Sequence, residues 1–380
     1  MIADRWGTLK FLCQCISPAQ NTEKILSEIN STEFNWEPVI YCSGQQLVTP
    51  ALWFYLKQKE ILPLLNQQHQ DYLELIYDLN LSRNNHIKEQ LLALLPAFNA
   101  AGIEPLLMKG IASLLGELYE SSGIRVLGDI DILVAEDKLH IAKKIMLEQE
   151  YTYTPFPFQD LVEEHKHLPG FVHNDQPVAI EIHRYPVALK LSGWVNIASA
   201  WDKSTQIFIK TGTVRLPMPE FRLLHNFCHC QVGDRGYFRG YINVRQMLEW
   251  VKLREMYEHQ FNWVEIQERV EKNRSIAAWS GYIFAAERYF SQPIVGGTKL
   301  PFLAGFFMYR LQWAEQYAWS WKLNLIVDRI VYYIEKTLSI LVFNFKRGPK
   351  HFVKAILFLF KQLFSLQWIK AKYKVFKRFD

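Results

Sequence analysis

The stretch Asp129-Ile130-Asp131-Ile132-Leu133-Val134 alternates acidic and aliphatic side chains before it ends in a short apolar run. Alternation with a period of two is typical of a β-strand with one buried face. Residues two apart in a strand project from the same face, so the carboxylates of Asp129 and Asp131 would stand side by side. Gathered acids repel one another unless a cation is present, and Mg²⁺ prefers oxygen ligands. The stretch therefore predicts a half-buried strand that carries a Mg²⁺ site.

The same alternation recurs further along the chain in Ile180-Glu181-Ile182-His183. Turn-forming residues at 174–177 separate this run from an earlier β-rich run at 170–173, which predicts a hairpin. If the second strand adjoins the first, Glu181 joins the two aspartates as a metal ligand. The alternative for Glu181 is a cross-strand ion pair. His183 would orient Glu181, contact phosphate, or serve as a structural histidine.

Upstream, Lys109-Gly110 lies where a predicted strand at 103–108 gives way to a predicted helix at 111–119. The glycine permits close backbone approach, the helix N-terminus favours an anion, and the lysine supplies a charge for phosphate. Arg125 is a second candidate phosphate ligand, the alternative being an ordinary surface arginine. Together these residues predict a nucleotide that is bound through its phosphates and a metal ion.

The motifs resemble those of the uncharacterised nucleotidyltransferases within the DNA polymerase β-like superfamily. The resemblance extends over roughly residues 50 to 250 and rests on Met108-Lys109-Gly110, Tyr119, Gly123-Ile124-Arg125, the stretch from Asp129 to Val134, and Ile180-Glu181-Ile182-His183. It implies that Asp129 and Asp131 are the metal-binding pair and that Glu181 is the third carboxylate, either a ligand or the base. It also implies a nucleoside triphosphate as donor and a hydroxyl as acceptor, on a small molecule, glycan precursor, peptide or protein. The superfamily usually has Gly-Ser closer to the acid pair, so we expect Lys109 to take over part of the serine's role.

The order of strands and helices predicts an α+β fold, with a minimal nucleotidyltransferase core and a mixed sheet between helical regions. We expect a helical N-terminal region at 1–100, the core at 101–215, a helical domain at 216–340 and a basic amphipathic tail at 341–380.

Charge is distributed unevenly along the chain of 380 residues, whose net charge is +5. The segment 341–380 holds ten lysines and arginines and one acid, so the rest of the chain is acidic overall. This asymmetry makes nucleic acid an improbable partner and indicates a basic appendage. If a helix starts at Gly348-Pro349, its lysines form a stripe beside apolar residues. Such a helix would lie on an anionic membrane surface or dock a partner, or pack on its own domain.

Five cysteines do not suggest a disulfide framework in a chain of this length. The N-terminus does not resemble a secretory signal, and the longest apolar run, 355–369, is interrupted by Lys361. We therefore expect a cytoplasmic protein, either free or peripheral at the inner membrane face. The alternative to an enzyme is a non-catalytic nucleotide-binding or membrane-surface adaptor with the same fold. Three intact acids favour the enzyme, because an adaptor has no need of them.

Overall fold

The computed structural model describes residues 5–19, 21–30, 34–153, 165–195, 197–294 and 301–364. The chain divides into two compact units, of which the first comprises Met1–Thr154 and Lys166–Lys322 and the second Pro155–His165 and Leu323–Asp380. The predicted boundaries of the N-terminal region, core and helical domain stay predictions.

The first unit begins with five helices, α1 (Arg5–Cys15), α2 (Thr22–Ile29), α3 (Glu37–Gln45), α4 (Thr49–Gln58) and α5 (Gln67–Ala100). In α5 the apolar residues Ile87, Leu91 and Leu95 recur every fourth position and are fully buried, which is the pattern of one helix face turned to a core. The Asn66 side chain caps this helix by accepting the His69 backbone N–H at 2.8 Å.

A seven-stranded sheet with the order β3-β4-β5-β2-β1-β7-β6 follows. Its strands are β1 (Leu106–Leu107), β2 (Asp129–Leu133), β3 (Thr152–Tyr153), β4 (Phe171–Val172), β5 (Ala179–His183), β6 (Ser204–Ile209) and β7 (Gly212–Pro217), and the intervening helices are α6 (Lys109–Leu115), α7 (Leu139–Glu148) and α8 (Ile197–Asp202). The central strand β2 pairs parallel with β5 and antiparallel with β1. The predicted mixed sheet and α+β class are therefore confirmed.

The isoleucines of β2 and β5 enter the sheet's core, as the alternating pattern predicts. Ile130, Ile132, Ile180 and Ile182 each have no exposed surface. Burying an aliphatic side chain of this size contributes about 1.5–3 kcal/mol, so a slip of one residue in register would replace buried isoleucines with carboxylates. This burial fixes which face of the sheet carries the acids.

Helices after the sheet complete the first unit and pack against the N-terminal ones. They are α9 (Pro219–Phe227), a π-helical segment (Cys228–Gly233), α10 (Gly236–Arg239), α11 (Val244–Tyr257), α12 (Trp263–Lys272), α13 (Ile276–Phe290) and α14 (Phe302–Gln316). Ser17 Oγ donates a hydrogen bond to the Phe290 carbonyl at 2.7 Å, and the rings of Trp6 and Tyr289 lie 5.3 Å apart. The two ends of the first unit thus share one core.

Helix α15 (Ala318–Lys346) leads into the second unit, and α16 (Pro349–Phe364) belongs to it. The predicted helix start at Gly348-Pro349 is confirmed, whereas Lys370, Lys372 and Lys374 of the basic tail lie outside the described residues. Within the described segments, no helix is both long enough and apolar enough to cross a membrane.

Candidate active site

The pairing of β2 with β5 brings two of the predicted acids together. In the parallel register Asp131 lies opposite Glu181, and Asp129 lies opposite Ala179. Asp129 and Asp131 share a face of the strand, because they are two residues apart. The Asp131 side chain is 2% exposed and that of Glu181 is 26% exposed. One acid is therefore deep in the site and the other stands at its opening.

His183 connects these two carboxylates from the end of β5. Its Nε2 atom lies 2.8 Å from Asp131 Oδ1 and 3.4 Å from Glu181 Oε2, and its side chain is fully buried. His183 therefore contacts two of the three predicted acids, and its three predicted roles stay predictions. Asp131, Glu181 and His183 each offer a ligand atom within 4.8 Å of the others, and among the described residues they are the one such group.

Lys109 reaches the same cluster from the start of α6. Its Nζ atom lies 2.5 Å from Asp131 Oδ1. Burial alone would raise the pKa of Asp131, but Lys109 and His183 hold it well below its ordinary value. The backbone of Lys109 has a φ of +50°, a left-handed conformation that costs a non-glycine residue about 1–2 kcal/mol. Strain of this kind is concentrated at functional sites.

Asp129 occupies the half-buried edge of the cluster. Burial, followed by the negative charge of Asp131, raises the pKa of Asp129 to about 6. Glu181 is a further negative neighbour that raises this pKa. Asp129 is not among the three residues whose ligand atoms lie within 4.8 Å of one another, but it adds a third carboxylate beside them. This chemistry fits a divalent cation.

Arg125 is not the surface residue that one alternative predicted. Its side chain is 5% exposed, its Nε donates to Glu249 Oε2 at 2.8 Å, and its Nη1 donates to the Val126 carbonyl at 2.7 Å. A Cβ atom added at Gly110 would lie 3.8 Å from Arg125 Nη2 and 3.3 Å from Leu127 Cγ. Gly110 therefore admits the segment around Arg125 close to the start of α6.

Two further arginines at the site were missed by sequence reasoning. Arg222 is 6% exposed and donates to Ser113 Oγ at 3.2 Å, while Arg245 Nη1 donates to the Val126 carbonyl at 2.8 Å. Burial, and then the charge of Arg125, lowers the pKa of Arg245 to about 10. The contacts of Arg222 and Arg245 join residues 109 and 119 positions apart. No local motif carries a signal for contacts of that range.

His167 and Lys166 also border the cluster. His167 Nε2 lies 3.8 Å from Glu181 Oε2, and an isolated β-bridge pairs His167 with His183. The pKa of Lys166 is lowered, first by burial and then by the charge of Lys109. The charges of Asp131 and Glu181 offset only part of this shift. The backbone hydrogen bonds from Leu168 N–H to the Ile182 carbonyl and from Arg184 N–H to the Lys166 carbonyl hold residues 166–168 beside β5.

A cavity of about 10 Å³ adjoins Lys109 and is lined by Arg222, His225, His229 and Glu249, among others. This volume is about that of one water molecule. His225 Nε2 lies 2.9 Å from the Pro186 carbonyl. Burial, and then the charge of Lys109, lowers the pKa of His225 to about 4, so the cavity has a neutral imidazole beside cationic side chains at neutral pH.

The fold and the site define a mixed α/β protein whose central strands carry an Asp/Glu/His cluster that could hold a metal ion. The chain belongs to the family described as uncharacterised nucleotidyltransferase, whose family model matches residues 32–291. The resemblance stated from the motifs is thereby confirmed, and the match extends beyond both ends of the expected range. Searches of the curated proteins and of the solved structures gave no match.

Proposed function

We propose that this protein is a Mg²⁺-dependent nucleotidyltransferase that moves a nucleotidyl group from a nucleoside triphosphate to an acceptor hydroxyl. The family supports the class of reaction. The observation that carries the proposal is the register that sets Asp131 opposite Glu181 on adjacent parallel strands. A structural ion pair would not need two further acids beside Lys109 on the same face of the sheet.

Asp129, Asp131 and Glu181 are the residues that would hold the metal. When bound, Mg²⁺ would neutralise charge on the triphosphate and orient it for in-line attack. His183 acts as a positioning residue, since it is fully buried and touches two of the three carboxylates. Hydrogen-bonded partners of this kind fix the orientation of metal ligands.

The positive groups around α6 supply a binding surface for phosphate. Lys109, at the first residue of the helix, contacts Asp131 directly. Gly110 follows it, and a Cβ atom added at Gly110 would lie 3.8 Å from Arg125 Nη2. Arg222 Nη1 is buried without a hydrogen-bond partner among the described residues. A buried unpaired donor is costly, so an anionic ligand oxygen would stabilise this region.

Glu181 has a second candidate role, that of the base in place of a metal ligand. It is the more exposed of the two acids that contact His183, and its hydrogen bond with His183 lowers its pKa. The carboxylate is therefore ionised at neutral pH and can accept a proton. In the transfer the acceptor oxygen forms a bond to the α-phosphorus, the bond from that phosphorus to the bridging oxygen breaks, pyrophosphate leaves, and the acceptor's proton passes to Glu181.

The test is transfer of label from each α-labelled nucleoside triphosphate, with Mg²⁺, to components of a cell extract. We expect label transfer by the wild type and a loss of at least about 100-fold in Asp131→Asn, because positioning and charge neutralisation supply most of the catalysis in phosphoryl transfer. Asp137→Asn, the same change at an exposed residue beyond β2, is the matched control and should retain activity.

Two outcomes would decide against the proposal, the first against the enzyme and the second against the assigned residues. If the wild type binds the triphosphate with Mg²⁺ but transfers no label under any condition, the protein is a non-catalytic nucleotide-binding adaptor. If Asp131→Asn transfers label as well as Asp137→Asn does, the carboxylates assigned here are not the catalytic ones.

A further inference from the structure

Helix α15 has an exposed apolar face along its part in the second unit. This α15 stripe consists of residues spaced three or four apart, with exposed fractions between 40% and 70%: Leu323, Ile326, Ile330, Ile334, Leu338, Val342 and Phe345. Spacing of three and four places them on one side of a helix. An apolar surface of this length on a single chain marks an interaction site.

The charged residues of the helix whose side chains the structure describes lie away from the α15 stripe. At 100° per residue, Asp328 and Arg329 fall outside the stripe, and Asp328 is buried. The stripe itself consists of apolar residues alone. This division is that of an amphipathic helix lying at an interface.

Basic residues follow directly after the last residue of the stripe. Lys346, Arg347, Lys350 and Lys354 are all exposed, and the sequence has no acid between Glu335 and Asp380. On α16, Val353 and Leu357 are exposed as well, at 54% and 60%. Lysines interspersed with exposed aliphatic residues suit a surface that is negatively charged outside and apolar beneath.

We propose that α15 and α16 bind the surface of an anionic lipid bilayer, with the α15 stripe inserted at the boundary of headgroups and acyl chains. The basic residues after Phe345 would contact the lipid phosphates. A second copy of this chain is the less suitable occupant, because two such helices would bring like charges together. The surface proposal does not depend on the nucleotidyltransferase activity.

The experiment is flotation of the full-length protein with vesicles of phosphatidylcholine alone or of phosphatidylcholine mixed with phosphatidylglycerol. We expect binding to the mixed vesicles that weakens between about 0.15 M and about 0.5 M salt, because salt screens the attraction. Each basic residue near an anionic surface contributes about fivefold in affinity. The variant Lys346→Gln/Arg347→Gln/Lys350→Gln/Lys354→Gln should therefore bind at least about 100-fold more weakly.

The stripe is tested by Ile330→Gln/Ile334→Gln/Leu338→Gln, which should weaken binding more than about 10-fold through the lost apolar burial. The matched control is Tyr332→Gln, since Tyr332 is 39% exposed on the same helix but away from the stripe. Circular dichroism of each variant establishes that it has folded. Equal binding to both vesicle types, no binding to either, or a dimer in light scattering that the triple variant abolishes would each overturn the proposal.

Discussion

Replacing Lys109 with methionine should strengthen binding of a divalent cation to the nucleotide-free protein. The Lys109 ammonium lies 2.5 Å from Asp131 Oδ1, so it competes with a metal ion for the charge of that carboxylate. A hydrogen bond to a charged group contributes about 1.5–3 kcal/mol. Its removal should therefore raise the affinity for the cation by roughly 10- to 100-fold. Methionine keeps much of the length and apolar volume of the lysine stem.

The measurement is titration of metal-free protein with Mn²⁺, following free Mn²⁺ by electron paramagnetic resonance. Lys166→Met is the matched control, because it removes the same charge from a lysine beside the site that forms no hydrogen bond with Asp131. We expect this control to change the affinity by less than about fivefold, as the charge of a more weakly coupled group is partly screened. If Lys109→Met binds Mn²⁺ no more tightly than Lys166→Met, Lys109 does not compete with the metal for Asp131. The proposal that Asp131 binds the metal beside Lys109 would then be wrong.

Three other predictions concern positions around the cluster. His183→Ala should lower transfer activity by about 10- to 100-fold, because it releases the two carboxylates that His183 orients, and steady-state kinetics should show no such loss for the exposed control His140→Ala. Glu249→Gln should cost about 3–5 kcal/mol in urea unfolding, since it leaves the buried Arg125 without its partner; a cost below about 1 kcal/mol would contradict this. His225 has a pKa of about 4 when folded against an ordinary value of 6.5, so the unfolded chain binds more protons as pH falls below 6.5 and stability is lost. Between pH 7 and pH 5 the free energy of unfolding of the wild type should fall by about 2 kcal/mol more than that of His225→Gln. If the free energy of unfolding depends on pH equally in the two proteins, His225 is not held neutral.

The two strands that carry the acids were predictable because their side chains alternate. The alternation fixed the faces of Ile130 and Ile132, and burial of both is observed. The predicted helix at 111–119 was less accurate, since α6 begins at Lys109 and ends at Leu115, where Gly116 and the positive φ of Glu117 terminate it. Local propensity identifies such elements better than it identifies their ends.

The pairing between strands could not be derived from the sequence. The sequence of neither strand predicts that Asp131 lies opposite Glu181 or that the two strands are parallel, because register and direction depend on how distant elements pack. The hairpin of β6 and β7 was not predicted, although β-branched residues on both sides of Lys210 gave a signal for it. The burial of Arg125 against Glu249, 124 positions away, was beyond the reach of any local pattern.

The most direct test of the central claim is a double-mutant cycle on Mn²⁺ binding with Asp131→Asn, Glu181→Gln and the combination. If both carboxylates bind one ion, each single variant should lose most of the affinity, and the combination should lose far less than the product of the two single losses. Asp137→Asn serves again as the control and should bind as the wild type does. Unchanged Mn²⁺ affinity in Glu181→Gln, or losses that multiply independently, would contradict a single metal site shared by β2 and β5.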